Sequence, residues 1–302
     1  MKLFLNILIA FLLSCNLANA KPVQPIYSGD LSELFQLNVI NHGLKKMGYK
    51  IAPAMQAQVA LIFLAMTTGN VDYFPAYWDP MSSQNYKRFA PTNTLAVRGL
   101  LLKGTKQGVL ISKKISEKYN IHTYADLKNN KHLFAQHHSN KAILTGCEQG
   151  WVCSDYLESL LKHYDLEEDY HLNSGGYGAL LSNVIADYFD DKPVLYYAWE
   201  PHWIHQYLKP GQDVVWLEES NKDLKKIFPS NDLRILANKQ FLADHPDIEA
   251  FFEKIRFSFE DINQLQALLH QYGNKKSVVK TYSDAWIAAH EKEIDGWLGL
   301  KP

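Results

Sequence analysis

Amphipathic helical segments and short apolar strands alternate along this chain from residue 31 onward, and that alternation restricts it to an α/β architecture. Leu31, Leu34, Phe35, Val39 and Leu44 recur at helical spacing within 31–47, and Gly48 ends the segment before a short strand at 49–51. A second helix over 56–66 stops at Thr67-Thr68-Gly69-Asn70, ahead of a strand at 71–74. Strands at 95–103 and 108–112, helical pieces at 115–119 and 124–127, and a helix at 155–163 continue the pattern. A helix at 177–189, a buried strand at 193–198 and strands at 214–216 and 233–237 follow; 241–257, 259–271 and 282–300 read as helices. The strands are expected to be mostly parallel. Neither repeats nor low-complexity segments interrupt this order.

The first twenty residues stand apart from it. Lys2 precedes an apolar run from Leu3 to Leu13, and Ala18-Asn19-Ala20 supplies the small residues of a signal-peptidase site, so an export signal cleaved after Ala20 is expected. A second reading competes: Leu12-Leu13-Ser14-Cys15 resembles a lipoprotein box, with cleavage before Cys15 and lipid on its sulfur. No other stretch approaches the roughly 20 apolar residues of a membrane helix. With 31 basic against 32 acidic side chains and no block of like charge, the chain offers nothing to a phosphate backbone, and no nucleic-acid partner is expected.

The export reading decides the chemistry of the cysteines. Cys147 and Cys153 remain beyond the signal, five residues apart, and outside the cytosol such a pair points to one disulfide closing a tight loop. That loop carries Trp151 beside Gly150, which suits a rigid pedestal for an indole. A catalytic thiol is disfavoured, because the partner sulfur keeps both oxidised. No nucleophile elbow, phosphate loop or H-E-x-x-H motif occurs, and no cofactor is expected. His202 and His205 share a helical face but lack a third ligand, so no metal site is expected; His137-His138 reads as a solvated loop pair.

The tryptophans carry more information. Trp78 in Phe74-Pro75-Ala76-Tyr77-Trp78-Asp79-Pro80, Trp151 on the cysteine loop and Trp199 before Glu200-Pro201 all fall at strand ends or in the loops beyond them. α/β folds place ligands there. Three converging indoles would form an aromatic box for a quaternary ammonium, which has no N–H to offer. Trp203, Trp216, Trp286 and Trp297 read as packing residues. A polyamine or amino-acid binder would instead need acidic side chains at the amine, and only Asp72, Asp79 and Glu200 lie near the box in sequence.

Three segments make the reading specific: Leu144-Thr145-Gly146-Cys147-Glu148-Gln149-Gly150-Trp151-Val152-Cys153, Lys192-Pro193-Val194-Leu195-Tyr196-Tyr197-Ala198-Trp199-Glu200-Pro201-His202-Trp203, and Leu208-Lys209-Pro210-Gly211-Gln212-Asp213-Val214-Val215-Trp216-Leu217. With Asp284-Ala285-Trp286-Ile287-Ala288-Ala289-His290 and Asp295-Gly296-Trp297, they make the chain resemble the glycine betaine/proline betaine-binding proteins (ProX type) of osmoprotectant ABC importers. The resemblance implies a type II periplasmic binding fold, α/β and two-lobed, with ligand in the cleft between lobes. Residues 21–105 and 235–302 are expected to form the first lobe and 106–234 the inserted second. It implies that Trp78, Trp151 and Trp199 surround the trimethylammonium head, Trp78 from the first lobe and the other two from the second. It also implies that the backbone N–H groups of Val152 and Cys153 hold the ligand carboxylate, and that the Cys147–Cys153 bridge shapes their loop.

Two positions depart from the family pattern. Ser82 stands where enterobacterial members carry a histidine that helps bind the carboxylate, and Val152 replaces a glycine. A choline or carnitine ligand therefore stays open. The expected protein is a periplasmic, monomeric, non-enzymatic carrier that delivers a small betaine to an ABC permease in the inner membrane.

Overall fold

The computed structural model describes residues 21–89, 93–135, 141–220 and 227–300. The export segment with Cys15 and Ala20, and the His137-His138 pair, lie outside the described residues. The elements run β1 (Ile26–Tyr27), α1 (Leu31–Lys46), β2 (Met55–Gln56), α2 (Val59–Thr67), β3 (Tyr73–Asp79), α3 (Ser83–Phe89), β4 (Leu95–Ser112), α4 (Lys113–Tyr119) and α5 (Leu127–Asn130). There follow β5 (Ala142–Thr145), α6 (Val152–His163), β6 (Tyr170–Asn173), α7 (Tyr177–Phe189), β7 (Leu195–Glu200), β8 (Val214–Trp216) and β9 (Asn231–Asn238). Five helices close the chain: α8 (Lys239–Asp244), α9 (Pro246–Phe252), α10 (Phe259–Tyr272), α11 (Lys276–Ala289) and α12 (Glu291–Leu298).

Helix α1 forms where its periodicity predicts. Asp30 caps it by accepting from the Ser32 N–H at 2.8 Å, Lys45 and Lys46 occupy the last turn, and Phe35, Leu37, Val39, Ile40 and Leu44 are buried. The helix expected over 241–257 is divided into α8 and α9, because Pro246 opens a new first turn and cannot continue an old one. The helix expected over 282–300 begins earlier and divides at His290 into α11 and α12. The strand expected at 49–51 is only a bridge between Val23 and Ile51.

Seven strands make one sheet in the order β3-β9-β4-β7-β5-β6, with β8 beside β4. The class is α/β as expected, but strand direction is not mostly parallel. Among the named strands, parallel pairing is confined to β1–β2, β5–β6 and β5–β7, while β9 pairs antiparallel with β3 and β4, and β7 and β8 antiparallel with β4. The cause is β4. The two strands expected at 95–103 and 108–112 are one continuous strand of 18 residues, which β9 flanks along its first half and β7 and β8 along its second. Its register shifts between Arg98 and Leu102, where Gly99 has φ +62° and an added Cβ would lie 2.3 Å from the Phe252 carbonyl oxygen.

Apolar side chains gather in two clusters. One draws Phe35, Phe63, Tyr73, Phe252 and Trp286 from both ends of the chain; the other draws Leu144, Leu157, Leu181, Tyr196 and Ile204 from its middle. Each fully buried side chain of this kind contributes about 1.5–3 kcal/mol. Trp78 packs against both clusters, and so sits where they meet.

Candidate functional site

Trp78 and Trp199 occupy equivalent places. Each is the penultimate residue of its strand, β3 or β7, rather than a residue just beyond it, and each strand runs into a cis X–Pro bond, Asp79-Pro80 or Glu200-Pro201. Trp151 is the N-cap residue of α6, with extended backbone. Before it, Cys147 and Cys153 are joined by a disulfide, and Gly150 turns the loop at φ +88°. The Trp151 N–H donates to the Glu148 carbonyl at 3.2 Å, and Ser154 Oγ donates to the same oxygen at 3.1 Å. The indole is thus carried on a cross-linked, hydrogen-bonded turn.

The three indoles, with Ser82, Val152 and Cys153, border a single cavity of about 100 Å³. A water needs roughly 10–15 Å³ on this scale, so the space admits a small solute and not a peptide. Trp199 is 9% exposed and stacks on Tyr177 at 5.0 Å with the rings 14° apart. Trp151 meets it edge-on at 6.1 Å. Trp78, half-buried, has no ring partner among the described residues. Trp286 and Trp297 are buried in the first cluster; Trp203 lies half-buried against His270, and Trp216 under the Lys106 ammonium.

Helix α6 begins at Val152, so the first amides of its N-terminus belong to Val152 and Cys153. That end carries positive partial charge. Opposite, the segment after Trp78 is pinned: the Met81 N–H donates to Asn231 Oδ1 at 2.8 Å, Tyr156 Oη donates to the Met81 carbonyl at 3.2 Å, and the Ser82 N–H donates to the Trp78 carbonyl at 2.7 Å. Behind Trp199, Tyr197 Oη donates to Gln107 Oε1 at 2.7 Å, and Tyr177 Oη donates to the Tyr197 carbonyl at 2.9 Å. Such a network fixes the ring planes before any ligand arrives.

His202 and His205 serve Trp199. The His202 ring lies 4.4 Å from the indole, its Nδ1 accepts from the Ile204 N–H, and burial holds it well below the usual histidine range. His205 Nε2 bonds the Trp199 carbonyl at 3.0 Å. Among the described residues no group of three metal-ligating side chains comes together.

Sequence reasoning missed two carboxylates. Asp72 accepts from the Gln24 N–H and Asp79 pairs with Arg234, whereas Asp30 and Glu33, distant in sequence, border the cavity. Glu33 is 7% exposed, with Oε2 accepting from the Ser28 N–H at 2.5 Å and Oε1 from Ser28 Oγ at 2.7 Å. Burial, followed by the charge of Asp30, pushes the Glu33 carboxyl up to about 8. The lining contains no Lys, Arg or His among the described residues.

Comparison with known proteins fits this geometry. The OpuAC family, described as the substrate binding domain of ABC-type glycine betaine transport systems, matches residues 21–289. The chain belongs to this family. It is accordingly a substrate-binding protein of an ABC-type transport system and not an enzyme. A glycine betaine/proline betaine-binding periplasmic protein of Salmonella typhimurium is 31% identical over 293 residues, covering 91% of this chain and 88% of that protein. A ProX structure from Borrelia burgdorferi superposes with a TM-score of 0.75 at 20% identity, covering 92% of this chain and 96% of the other. An ABC-transporter choline binding protein in complex with choline gives 0.74 at 15% identity, with 92% of each covered. At such identities the two structures establish the type II binding-protein fold.

Proposed function

We propose that this protein captures glycine betaine or proline betaine in the periplasm and hands it to an inner-membrane ABC permease. The head group sits among Trp78, Trp151 and Trp199; the carboxylate meets the Val152 and Cys153 amides and the Ser82 hydroxyl. Residues 21–105 and 235–302 act as one lobe and 106–234 as the other, closing on the ligand as a monomer once the signal is removed after Ala20. One observation carries the reading: three indoles from three separated segments border one small cavity whose lining, among the described residues, holds no basic side chain.

Magnitudes agree with capture from dilute solution. Three desolvated cation–π faces at about 1–2 kcal/mol each and two or three charge-assisted hydrogen bonds at about 1.5–3 kcal/mol each give about 6–15 kcal/mol before closure costs, a range that spans the roughly 8.2 kcal/mol of micromolar binding. The helix N-terminus suits an anion, since its amides lack intrahelical acceptors.

A second reading, a choline carrier, is favoured by a specific feature. Ser82 cannot carry charge, so among the described lining residues no cationic side chain favours a carboxylate-bearing ligand, betaine or carnitine, over choline. The test is calorimetry and tryptophan fluorescence with glycine betaine, proline betaine, choline, carnitine and putrescine in parallel. Saturable binding of betaines above choline supports the first reading, and equal binding moves the assignment to the second. Silence with every quaternary amine overturns both.

A further inference from the structure

Asp30 and Glu33 are separated by one helical turn at the start of α1, and both border the cavity. Asp30 also borders two adjoining spaces. One is shared with Trp151 and Trp199, the other with Trp78 and Trp199, and neither reaches Ser82, Val152 or Cys153. Asp30 therefore adjoins indoles in all three spaces, whereas the acidic pair meets Ser82, Val152 and Cys153 only across the main cavity. Gln36, 3% exposed, adds an independent sign that this side is built for a polar occupant: its Oε1 has no hydrogen-bond partner, and it borders one of those spaces beside both acids.

Two buried carboxylates one helical turn apart, in spaces lined by no Lys or Arg among the described residues, cannot both stay ionised cheaply. The hydrogen bonds agree. Both bonds that Ser32 gives Asp30 go to Oδ1, leaving Oδ2 without one among the described residues. Ser28 Oγ can donate to a Glu33 carboxylate or accept from its carboxylic acid, so it serves either protonation state.

We infer that Asp30 and Glu33 supply the counter-charge for the ligand's cationic head, and that one proton leaves this pair for solvent as the head enters. The inference rests on the tryptophan-cage reading. A fixed cation brought beside the pair favours its doubly ionised form, so cation and proton compete for one site. In the empty protein the raised Glu33 carboxyl keeps that proton through neutrality.

The other titratable groups facing the pair are Tyr197 of β7 and Tyr177 of α7, whose phenols burial raises further, the buried His202, and Glu148 and His270, which share a neighbouring space with Asp30. Neither tyrosine gains charge near neutrality. His270 is the one to control for.

The experiment is calorimetry of the mature protein with glycine betaine and with choline, neither of which titrates between pH 6 and 9. Buffers of different ionisation enthalpy count the protons. The expected result is release of about one proton per ligand at pH 7, and a Kd that falls roughly tenfold per pH unit until it flattens near pH 8. Glu33→Gln, which keeps both Ser28 bonds, and Asp30→Asn should each abolish the release and flatten the profile, while His270→Gln leaves both unchanged. Tight binding with no proton release and a flat profile overturns the inference and leaves the cage standing. A release that persists in both acid variants overturns it as well. Absence of binding by either ligand removes the cage and the inference together.

Discussion

Trp78 is the best position at which to separate ring electrostatics from space filling. Its indole is half-buried and makes no ring contact among the described residues, whereas Trp199 is locked against Tyr177 and His202. Truncating Trp199 would cost the fold about 3–5 kcal/mol as a core aromatic and confuse the binding result. Trp78→Ala instead removes one of three faces from a cation that has no hydrogen bond to give. A desolvated face contributes about 2 kcal/mol, so the Kd for glycine betaine should rise roughly thirtyfold. Trp78→Phe keeps a weaker quadrupole and should lose about fivefold. Trp78→Leu supplies comparable apolar bulk without the quadrupole and should behave like alanine. Calorimetry on each variant, after circular dichroism has established that it is folded, reads the series directly. If leucine binds as well as phenylalanine, the ring acts by filling space and the cation–π argument is wrong.

Three further outcomes follow from other parts of the site. Ser82→Ala should weaken betaine binding at least about tenfold, the value of one charge-assisted hydrogen bond of about 1.5 kcal/mol, and leave choline unchanged; an equal loss for both ligands would place Ser82 away from the carboxylate. Opening the Cys147–Cys153 bridge by Cys147→Ser with Cys153→Ser should cost about 2 kcal/mol in denaturant unfolding, as loop closure over so short a span allows. Glu33 binds its proton more tightly folded than unfolded, so its contribution to stability is full below its unfolded value near 4.5 and is lost as pH rises toward about 8. Relative to Glu33→Gln, the unliganded protein should therefore lose on the order of 5 °C in Tm between pH 5 and pH 8, and parallel Tm profiles would refute the raised carboxyl.

What could be read in the sequence was what is local. Helix α1 was legible because its apolar spacing and the Gly48 that stops it lie within one segment. Strand β4 was not, because the stretch opening at Gly104 read as a break between two strands, although the sheet absorbs it, with Gly99, Gly104 and Gly108 as positive-φ residues, within one continuous strand. The indoles could be found because tryptophans near strand ends, one on a cysteine loop, are informative wherever they occur. Their convergence on one cavity needed the tertiary fold.

Asp30 shows why the acids escaped notice. Before a helix, an aspartate is explained by its cap, and Ser32 accounts for one of its oxygens. Only the fold brings that capped turn from near the amino terminus against Trp78, Trp151 and Trp199. On the proposed reading, a cap that borders the cation's cage holds its carboxylate in place through α1 itself, with no basic side chain among the described lining residues to neutralise it. A lysine or arginine partner would have stabilised the empty protein and competed with the ligand for the same charge. On that proposal, leaving the pair to a proton would let the proton depart into water when a permanent cation arrives.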